Sequence, residues 1–159
     1  MRRADRQITA REEIDGILDA AQVCRLAFAR QNEPYVVPVS FGYDGAALYF
    51  HTASAGRKLD FIAANNRVCF EVEHDVRLQP HPESACSWGF AFESVIGYGQ
   101  ASELVSPEER SYGLRQVMRH YAGREYAFEP RNLASVRVWR VDIESMTGKR
   151  SRAKSAEKA

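Results

Sequence analysis

Residues 50–58, with the sequence Phe-His-Thr-Ala-Ser-Ala-Gly-Arg-Lys, bring together side chains suited to holding an anion. Two hydroxyls, Thr52 and Ser54, end a predicted strand, and a glycine then lets the chain turn. A predicted helix opens directly afterwards with Arg57 and Lys58. Hydroxyl donors, the free amides of a helix N-terminus and two positive charges are groups that bind phosphate. Positive charge at a helix start is unfavourable against the helix dipole, which favours a bound phosphate there. The alternative interpretation is that Arg57 and Lys58 are solvent-exposed surface cations.

The motifs of most other enzyme classes are absent from the sequence. There is no G-x-x-x-x-G-K-[ST], H-E-x-x-H or G-x-S-x-G, and Gly97-Tyr98-Gly99 lacks the third glycine of a dinucleotide-binding turn. The histidines and cysteines show no metal-ligand spacing, so we expect no metal site. These absences argue against most hydrolases and nucleoside-triphosphate enzymes.

Composition and charge describe one globular domain. The chain has 159 residues, of which 45% are hydrophobic and 27% charged. Three cysteines without a C-x-x-C pair favour a reducing compartment, and no apolar run is long enough to span a bilayer, so a cytoplasmic protein is expected. Residues 1–148 carry 17 basic and 20 acidic side chains, which does not suggest a nucleic-acid-binding surface. Residues 149–159 carry five basic side chains and one acidic, and are expected to form a disordered tail.

Three helices are predicted to flank the strands. Thr9 and Glu12 have the spacing of a capping box ahead of an amphipathic helix over residues 10–21. A second helix of about two and a half turns lies within residues 56–65. The third begins at Ser106, which is followed by a proline and then by a glutamate at the third helical position.

Extended segments dominate the remainder, and residues 74–87, which hold two prolines, are interpreted as a loop. The six predicted strands are residues 22–30, 35–43, 48–53, 67–73, 88–104 and 135–143. Neighbouring strands are mostly antiparallel, and Gly97 and Gly99 indicate a bulge or sharp bend. A closed or nearly closed small barrel covers so many strands in a short chain without leaving exposed edges.

Several segments together resemble the pyridoxamine 5′-phosphate oxidase-like, flavin-binding split-barrel superfamily, and within it the 5-nitroimidazole-resistance branch. The similarity runs in order from Arg2 to Lys149. The segments that carry it are residues 34–43 (PYVVPVSFGY), the Asp44-Gly45 turn, residues 48–53 (LYFHTA), 56–58 (GRK), 67–72 (RVCFEV), 94–99 (SVIGYG) and 146–149 (MTGK). The resemblance implies a mainly β fold with flanking helices, namely a six-stranded antiparallel split β-barrel over residues 1–148. It also implies a homodimer with FMN at the subunit interface.

The resemblance assigns roles to individual residues. It places Arg57 and Lys58 on the flavin phosphate, assisted by the hydroxyl of Thr52. The backbone of Val37, Pro38, Val39 and Ser40 would line the isoalloxazine ring. Ser94 would approach the flavin from the partner subunit.

Other residues keep two interpretations. The resemblance places His51 near the flavin and its substrate, as a candidate catalytic residue, but a lone strand histidine is equally typical of a hydrogen-bonded, half-buried side chain. Trp88, Phe90 and Phe92 would either wall the flavin or pack the barrel. Lys149 would either reach the cofactor or stay in solvent.

These observations favour an FMN-dependent oxidoreductase that acts on a small redox-active molecule, with a nitro-aromatic compound as one candidate. The alternative is a non-catalytic dimer that stores or senses flavin, or binds haem or a deazaflavin in the same barrel. Vitamin B6 oxidation is disfavoured. The true pyridoxamine phosphate oxidases resemble one another in a late Arg-x-His element that holds their substrate, and no such element follows Trp139 here. No nucleic acid or membrane partner is expected.

Overall fold

The computed structural model describes residues 4–124, 126–128, 133 and 135–152. They form a mainly antiparallel β-structure with three α-helices. The helices are α1 (Arg11–Ala20), α2 (Arg57–Ala64) and α3 (Pro107–Ala122). The strands are β1 (Gln7–Ile8), β2 (Cys24–Arg30), β3 (Glu33–Val39), β4 (Phe41–Tyr43), β5 (Ala47–Thr52), β6 (Arg67–Gln79), β7 (Gly89–Leu104) and β8 (Arg137–Ser151). No helix in this part of the chain is both long and apolar enough to cross a bilayer.

The main sheet closes on itself through one bent stretch of chain. Its strand order is β3-β2-β6-β7-β8-β5-β4, with β1 paired to β8. The two ends of that order, β3 and β4, are consecutive in the sequence and are separated only by Ser40. Because the chain bends there, β3 pairs with β2 on one side of the barrel and β4 pairs with β5 on the other. The predicted split barrel is therefore confirmed, with eight strands in place of six, since Ser40 divides one predicted strand and β1 is a further short one.

Alternating apolar residues fill the barrel interior. On β6, Val68, Phe70 and Val72 are buried, as their spacing predicts. Gly97 of β7 lies opposite Phe70, and a Cβ at Gly97 would lie 2.2 Å from the Phe70 ring carbon Cζ. The phenyl ring thus occupies the space that the glycine leaves, and the pairing of β7 with β8 shifts register between Tyr98 and Gly99, where a bulge was predicted.

The opposite face of the same strands is solvent-exposed and partly apolar. We call it the outer face. Its members alternate with the core residues along five strands. They are Val36 and Pro38 of β3, Arg25 and Ala27 of β2, Cys69 and Glu71 of β6, Ile96 and Tyr98 of β7, and Ser145 and Thr147 of β8. Val36, Ile96 and Tyr98 are the large exposed apolar side chains among these residues.

Of two predicted helix N-caps, one is present in the structure and the other is not. Ser106 caps α3 as predicted, because its hydroxyl accepts from the Glu109 amide while the Glu109 carboxylate accepts from the Ser106 amide. The predicted capping box at Thr9 is wrong. The N-cap of α1 is Ala10, and no side chain bonds the helix amides there.

Three further predictions need correction. β6 continues to Gln79, so residues 74–79 are strand and not loop, with a register shift between His74 and Arg77 that lets the strand turn outward. β8 extends to Ser151, because each residue from 148 to 151 finds a partner on β7 or β1. Lys149 is therefore a half-buried strand residue with its Nζ 5.4 Å from the Phe92 ring, and residues 153–159 of the predicted tail lie outside the described part.

Candidate functional site

The barrel has an opening where β3 and β5 diverge. The pairing of β5 with β4 ends at Phe50, which lies opposite Phe41. His51 and Thr52 continue β5 beyond that point and pair only with β8. On the other side of the opening, β3 is paired only with β2. We call this gap between β3 and the end of β5 the split.

The first turn of α2 spans the split, and its two cations contact opposite sides. The Arg57 guanidinium lies over the ring of Tyr35 on β3, 5.1 Å from its centroid. The Lys58 Nζ lies 5.7 Å from the ring centroid of Phe50 on β5. The sequence positions these cations because the glycine before Arg57 adopts a φ of 141°, which side chains disfavour, and so redirects the chain from β5 into the helix.

Lys58 is the cation of the split that has no anion beside it. Its side chain is half-buried, and burial lowers the pKa of its ammonium group. Within the described ranges it has no carboxylate partner. The α2 N-terminus also lacks a side-chain cap. The Leu59 amide donates to the Gly56 carbonyl oxygen, so in the described part of the chain the amides of Arg57 and Lys58 are the ones left for an external acceptor. A half-buried cation beside helix amides without a side-chain cap is an arrangement that suits an anion.

Arg57, in contrast, already has a partner. Its guanidinium donates to the carboxylate of Glu33, at the start of β3. The same carboxylate lies 3.4 Å from Arg30, and these two arginines lower the pKa of Glu33, the hydrogen bond from Arg57 being the main cause. Arg57 can therefore serve an external anion only by sharing or leaving Glu33.

The Thr52 hydroxyl is buried and engaged on both sides. It donates to the carbonyl oxygen of Ala53 at 2.9 Å and accepts from the indole nitrogen Nε1 of Trp139 at 3.2 Å. Trp139 also stacks on Phe50, with ring centroids 6.2 Å apart. Thr52 thus lies at the floor of the split, and its hydroxyl proton is already donated to the Ala53 carbonyl oxygen.

His51 lies on the opposite face of β5 from Thr52, and its side chain is exposed overall. Partial burial of the imidazole, and then the positive charge of Lys58, lower the pKa of His51. The neutral form is therefore favoured at pH 7. His51 continues β5 beyond its last pair with β4, which places it beside the split.

The four predicted residues of the β3 region take different orientations. Val37 and Val39 point to the core, Pro38 lies on the outer face, and Ser40 occupies the bend. Proline has no N–H to donate, so the alternation places Pro38 and Val36 with their backbone polar groups directed away from β2. The edge of β3 thereby presents the Val36 amide and the neighbouring carbonyls along the split.

Two predicted residues lie elsewhere in the same chain. Ser94 is on β7, between Glu73 and Lys149, and two strands separate β7 from β3. Trp88 precedes β7 at the end of the β6–β7 hairpin, where its indole nitrogen donates to the carbonyl oxygen of His81. Trp88 and Phe90 are 52% and 53% exposed, so neither packs the barrel of this chain.

Sequence reasoning did not identify four residues that build the split. Glu33, Tyr35, Phe61 and Trp139 hold or flank the two cations and the threonine. Tyr35 could have been identified from the sequence, because it alternates with the prolines of β3 and so lies on the core side of that strand. Glu33 could not, since it lies 24 residues from Arg57, between two predicted strands. Among the residues with described positions, no histidine, cysteine and carboxylate side chains gather into a group that could bind a metal.

The chain is similar to several known proteins. A family model described as pyridoxamine 5′-phosphate oxidase matches residues 10–150. A curated, uncharacterized protein of Rhizobium meliloti is 32% identical over 66 residues, which are 42% of this chain and 43% of that protein. The match thus spans less than half the length of that relative.

Two solved structures extend the similarity to most of the chain. A crystal structure described as a candidate 5-nitroimidazole antibiotic resistance protein, from Bacteroides thetaiotaomicron, has 30% identity and a TM-score of 0.79, and the match covers 90% of this chain and 85% of that one. The crystal structure of an FAD-binding protein from Mesorhizobium loti has 27% identity and a TM-score of 0.68, with coverage of 92% and 98%.

Proposed function

Because this chain belongs to the pyridoxamine 5′-phosphate oxidase family, we propose that it is a flavoprotein that binds FMN at the split, with the phosphate at the start of α2. The observation that carries the proposal is the Lys58 ammonium, half-buried and without a carboxylate beside it in the described part of the chain. The FAD-binding protein of Mesorhizobium loti, 27% identical, supports a flavin-type cofactor. FMN fits this donor set because its terminal phosphate suits a helix N-terminus flanked by cations.

The residues of this chain would bind and orient such a cofactor. Lys58 and the first amides of α2 would hold the phosphate, and Arg57 would approach it from the β3 side. The edge of β3 would offer the Val36 amide and the Pro38 carbonyl oxygen to the ring system, whereas the backbone groups of Val37 and Val39 face β2. When bound, a flavin supplies electron transfer in one- or two-electron steps, so the protein needs few acid–base groups of its own.

We propose that the protein is an FMN-dependent oxidoreductase whose substrate is a small redox-active molecule. A nitro-aromatic compound is the first candidate, supported by the 30% identity to the described 5-nitroimidazole resistance protein. A vitamin B6 phosphate is not proposed. The residues after Trp139 are Arg140-Val141-Asp142, and the Arg140 guanidinium pairs with the Asp142 carboxylate at 2.7 Å, which leaves no arginine and histidine there to receive that substrate.

We also propose that the working form is a homodimer built on the outer face. That face carries exposed apolar side chains from several strands, among them Val36, Ile96 and Tyr98. Ser94 lies along the same side of β7, so a second copy placed on this face would bring its Ser94 toward the neighbouring split. The proposed partner role of Ser94 depends on this arrangement.

The cofactor is tested by the absorption spectrum of the purified protein, recorded before and after heat release and after addition of FMN. We expect flavin bands, release of FMN, and loss of retention when Lys58→Ala and Arg57→Ala are combined. Arg67→Ala is the matched control, because it removes an exposed cation that pairs with Glu144 away from the split. A haem Soret band, or no uptake of FMN, would contradict the proposal.

Activity is tested separately from binding. The FMN-loaded protein is reduced without oxygen by NADH or NADPH, and reoxidation is followed after adding nitro-aromatic acceptors. We expect reoxidation faster than that of free FMN under the same conditions. Reoxidation at the rate of free FMN with every acceptor would favour the alternative of a flavin-binding dimer without turnover.

A further inference from the structure

A cluster of charges at the β3 side of the split involves three residues. The carboxylate of Glu33 accepts from Arg57 through one oxygen and lies 3.4 Å from Arg30 through the other. Both guanidinium groups lie against the ring of Phe61, at 5.6 Å and 4.8 Å from its centroid. A single carboxylate is therefore shared between two arginines that rest on the same aromatic ring.

We propose that Glu33 is an internal counter-anion, which holds Arg57 at the split in the absence of cofactor and releases it to the cofactor phosphate on binding. This inference rests on the proposed function, because the competing anion is the phosphate of the flavin. A guanidinium presents a planar fork of donors that fits a carboxylate and a phosphate equally well in shape. A phosphate monoester carries a charge of about −1.5 to −2 at neutral pH, so it is the stronger partner for Arg57.

The exchange of partners requires little reorganisation of the protein. The Arg57 side chain is 60% exposed, and exposed ion pairs of this kind are weak. After Arg57 leaves, Glu33 keeps Arg30 as a partner and is not left as an isolated charge. The contacts of Arg57 with Tyr35 and Phe61 keep its guanidinium near the split while its donors turn.

Glu33 then sets how strongly the protein distinguishes FMN from riboflavin. Lys58 has no such competitor in the described part of the chain, so it acts on the phosphate at full strength. Arg57 contributes only the difference between its interaction with phosphate and its interaction with Glu33. Removing the carboxylate charge at position 33 should therefore increase affinity for FMN and leave affinity for riboflavin unchanged, because riboflavin has no phosphate.

The experiment is a double-mutant cycle of Glu33→Gln and Arg57→Ala, with dissociation constants for FMN and riboflavin measured by flavin fluorescence. We expect Glu33→Gln to tighten FMN binding about two- to fivefold, the range that an exposed ion pair supports. In the Arg57→Ala background the same change should have no effect. Asp60→Asn is the matched control, since Asp60 is an exposed carboxylate in the first turn of α2.

Each outcome has a separate meaning. Unchanged or weaker FMN binding by Glu33→Gln, with a native circular dichroism spectrum, would overturn the inference, because Glu33 would then be inert or would position Arg57 for the phosphate. A gain that persists in the Arg57→Ala background, or that Asp60→Asn reproduces in full, would also overturn it, because the carboxylate would act only by repulsion through space. Failure of the wild-type protein to bind any flavin would instead overturn the proposed function.

Discussion

The indole nitrogen of Trp139 donates a hydrogen bond to the hydroxyl of Thr52 inside the barrel, 87 residues away in sequence. The two residues lie on neighbouring strands, β8 and β5, at the floor of the split. Since the Thr52 hydroxyl in turn donates to the Ala53 carbonyl, both of its hydrogen-bonding functions serve the protein. The stability of the barrel and the shape of the split therefore both depend on this hydrogen bond.

Thr52→Val is expected to destabilise the protein by about 1–3 kcal/mol, because it leaves the Trp139 indole N–H buried without an acceptor. Thr52→Ser keeps the hydroxyl and should restore most of this loss. Chemical denaturation monitored by circular dichroism measures both. FMN affinity should change by less than about threefold, under 1 kcal/mol. A large loss of FMN affinity at unchanged stability would instead assign the hydroxyl to the phosphate.

The sequence predicted the fold well wherever one local pattern decided the structure. The capping box at Ser106, the alternation of Val68, Phe70 and Val72, and the helix that opens with Arg57 are all present. It predicted less well where a distant partner decided the structure. β6 and β8 extend past their predicted ends because each finds its partner along β7, and no local residue type announces that pairing.

The residues of the candidate site were likewise predictable where they are consecutive in sequence, and not where they are distant. Residues 50–58 contain the two cations, the glycine and the threonine in consecutive order, so the phosphate-binding group was visible as a motif. The partners of these residues were not visible. Glu33 and Trp139 reach the split only through the closure of the barrel, and their charge and hydrogen bonds decide which of the local donors are free.

The pKa of His51 reports on the charge in the split. Burial and the charge of Lys58 both lower it, so Lys58→Met should raise the pKa of His51 toward its ordinary value without restoring it fully. Binding of FMN should also raise it, because the phosphate would offset the charge of Lys58. An NMR titration of the imidazole resonances measures each shift. A pKa insensitive to both changes would place the phosphate away from Lys58.

Asp44 should make the protein sensitive to acid. Burial by itself would raise the pKa of this carboxyl, but hydrogen bonds from two tyrosine hydroxyls and two backbone amides leave it lowered. Since its folded-state pKa lies below its unfolded value, the stabilisation is present above about pH 4 and is lost as pH falls through the folded value. Asp44→Asn should cost about 1–3 kcal/mol at pH 7.

The difference in stability between the wild type and Asp44→Asn should shrink as the pH falls from 6 to 3, since only the wild type loses the charge. Urea denaturation at several pH values measures this difference. A gap that stays constant over the whole range would show that the carboxylate charge contributes nothing to the loop between β4 and β5.

Gly97→Ala should destabilise the barrel by about 1–3 kcal/mol, the usual cost of overpacking a well-filled core. The added Cβ would lie 2.2 Å from the Cζ atom of Phe70 and 2.8 Å from the carbonyl oxygen of Ser145. Combining it with Phe70→Leu removes the first clash, so the double variant should be more stable than the sum of the single effects predicts. Thermal unfolding of the four proteins completes the cycle, and strict additivity would contradict the contact.

The outer face should hold two copies of the chain together. Ile96 and Tyr98 are 43% and 47% exposed on neighbouring outward positions of β7, and a glutamate at either position would place a charge within the proposed interface. We therefore expect a dimer for the wild type and a monomer for Ile96→Glu and Tyr98→Glu in sedimentation velocity at micromolar concentration. Val105→Glu is the control, because Val105 is 77% exposed but lies between β7 and α3, away from this face. A monomeric wild type, or dimers in all the variants, would place the interface elsewhere and remove Ser94 from the partner's site.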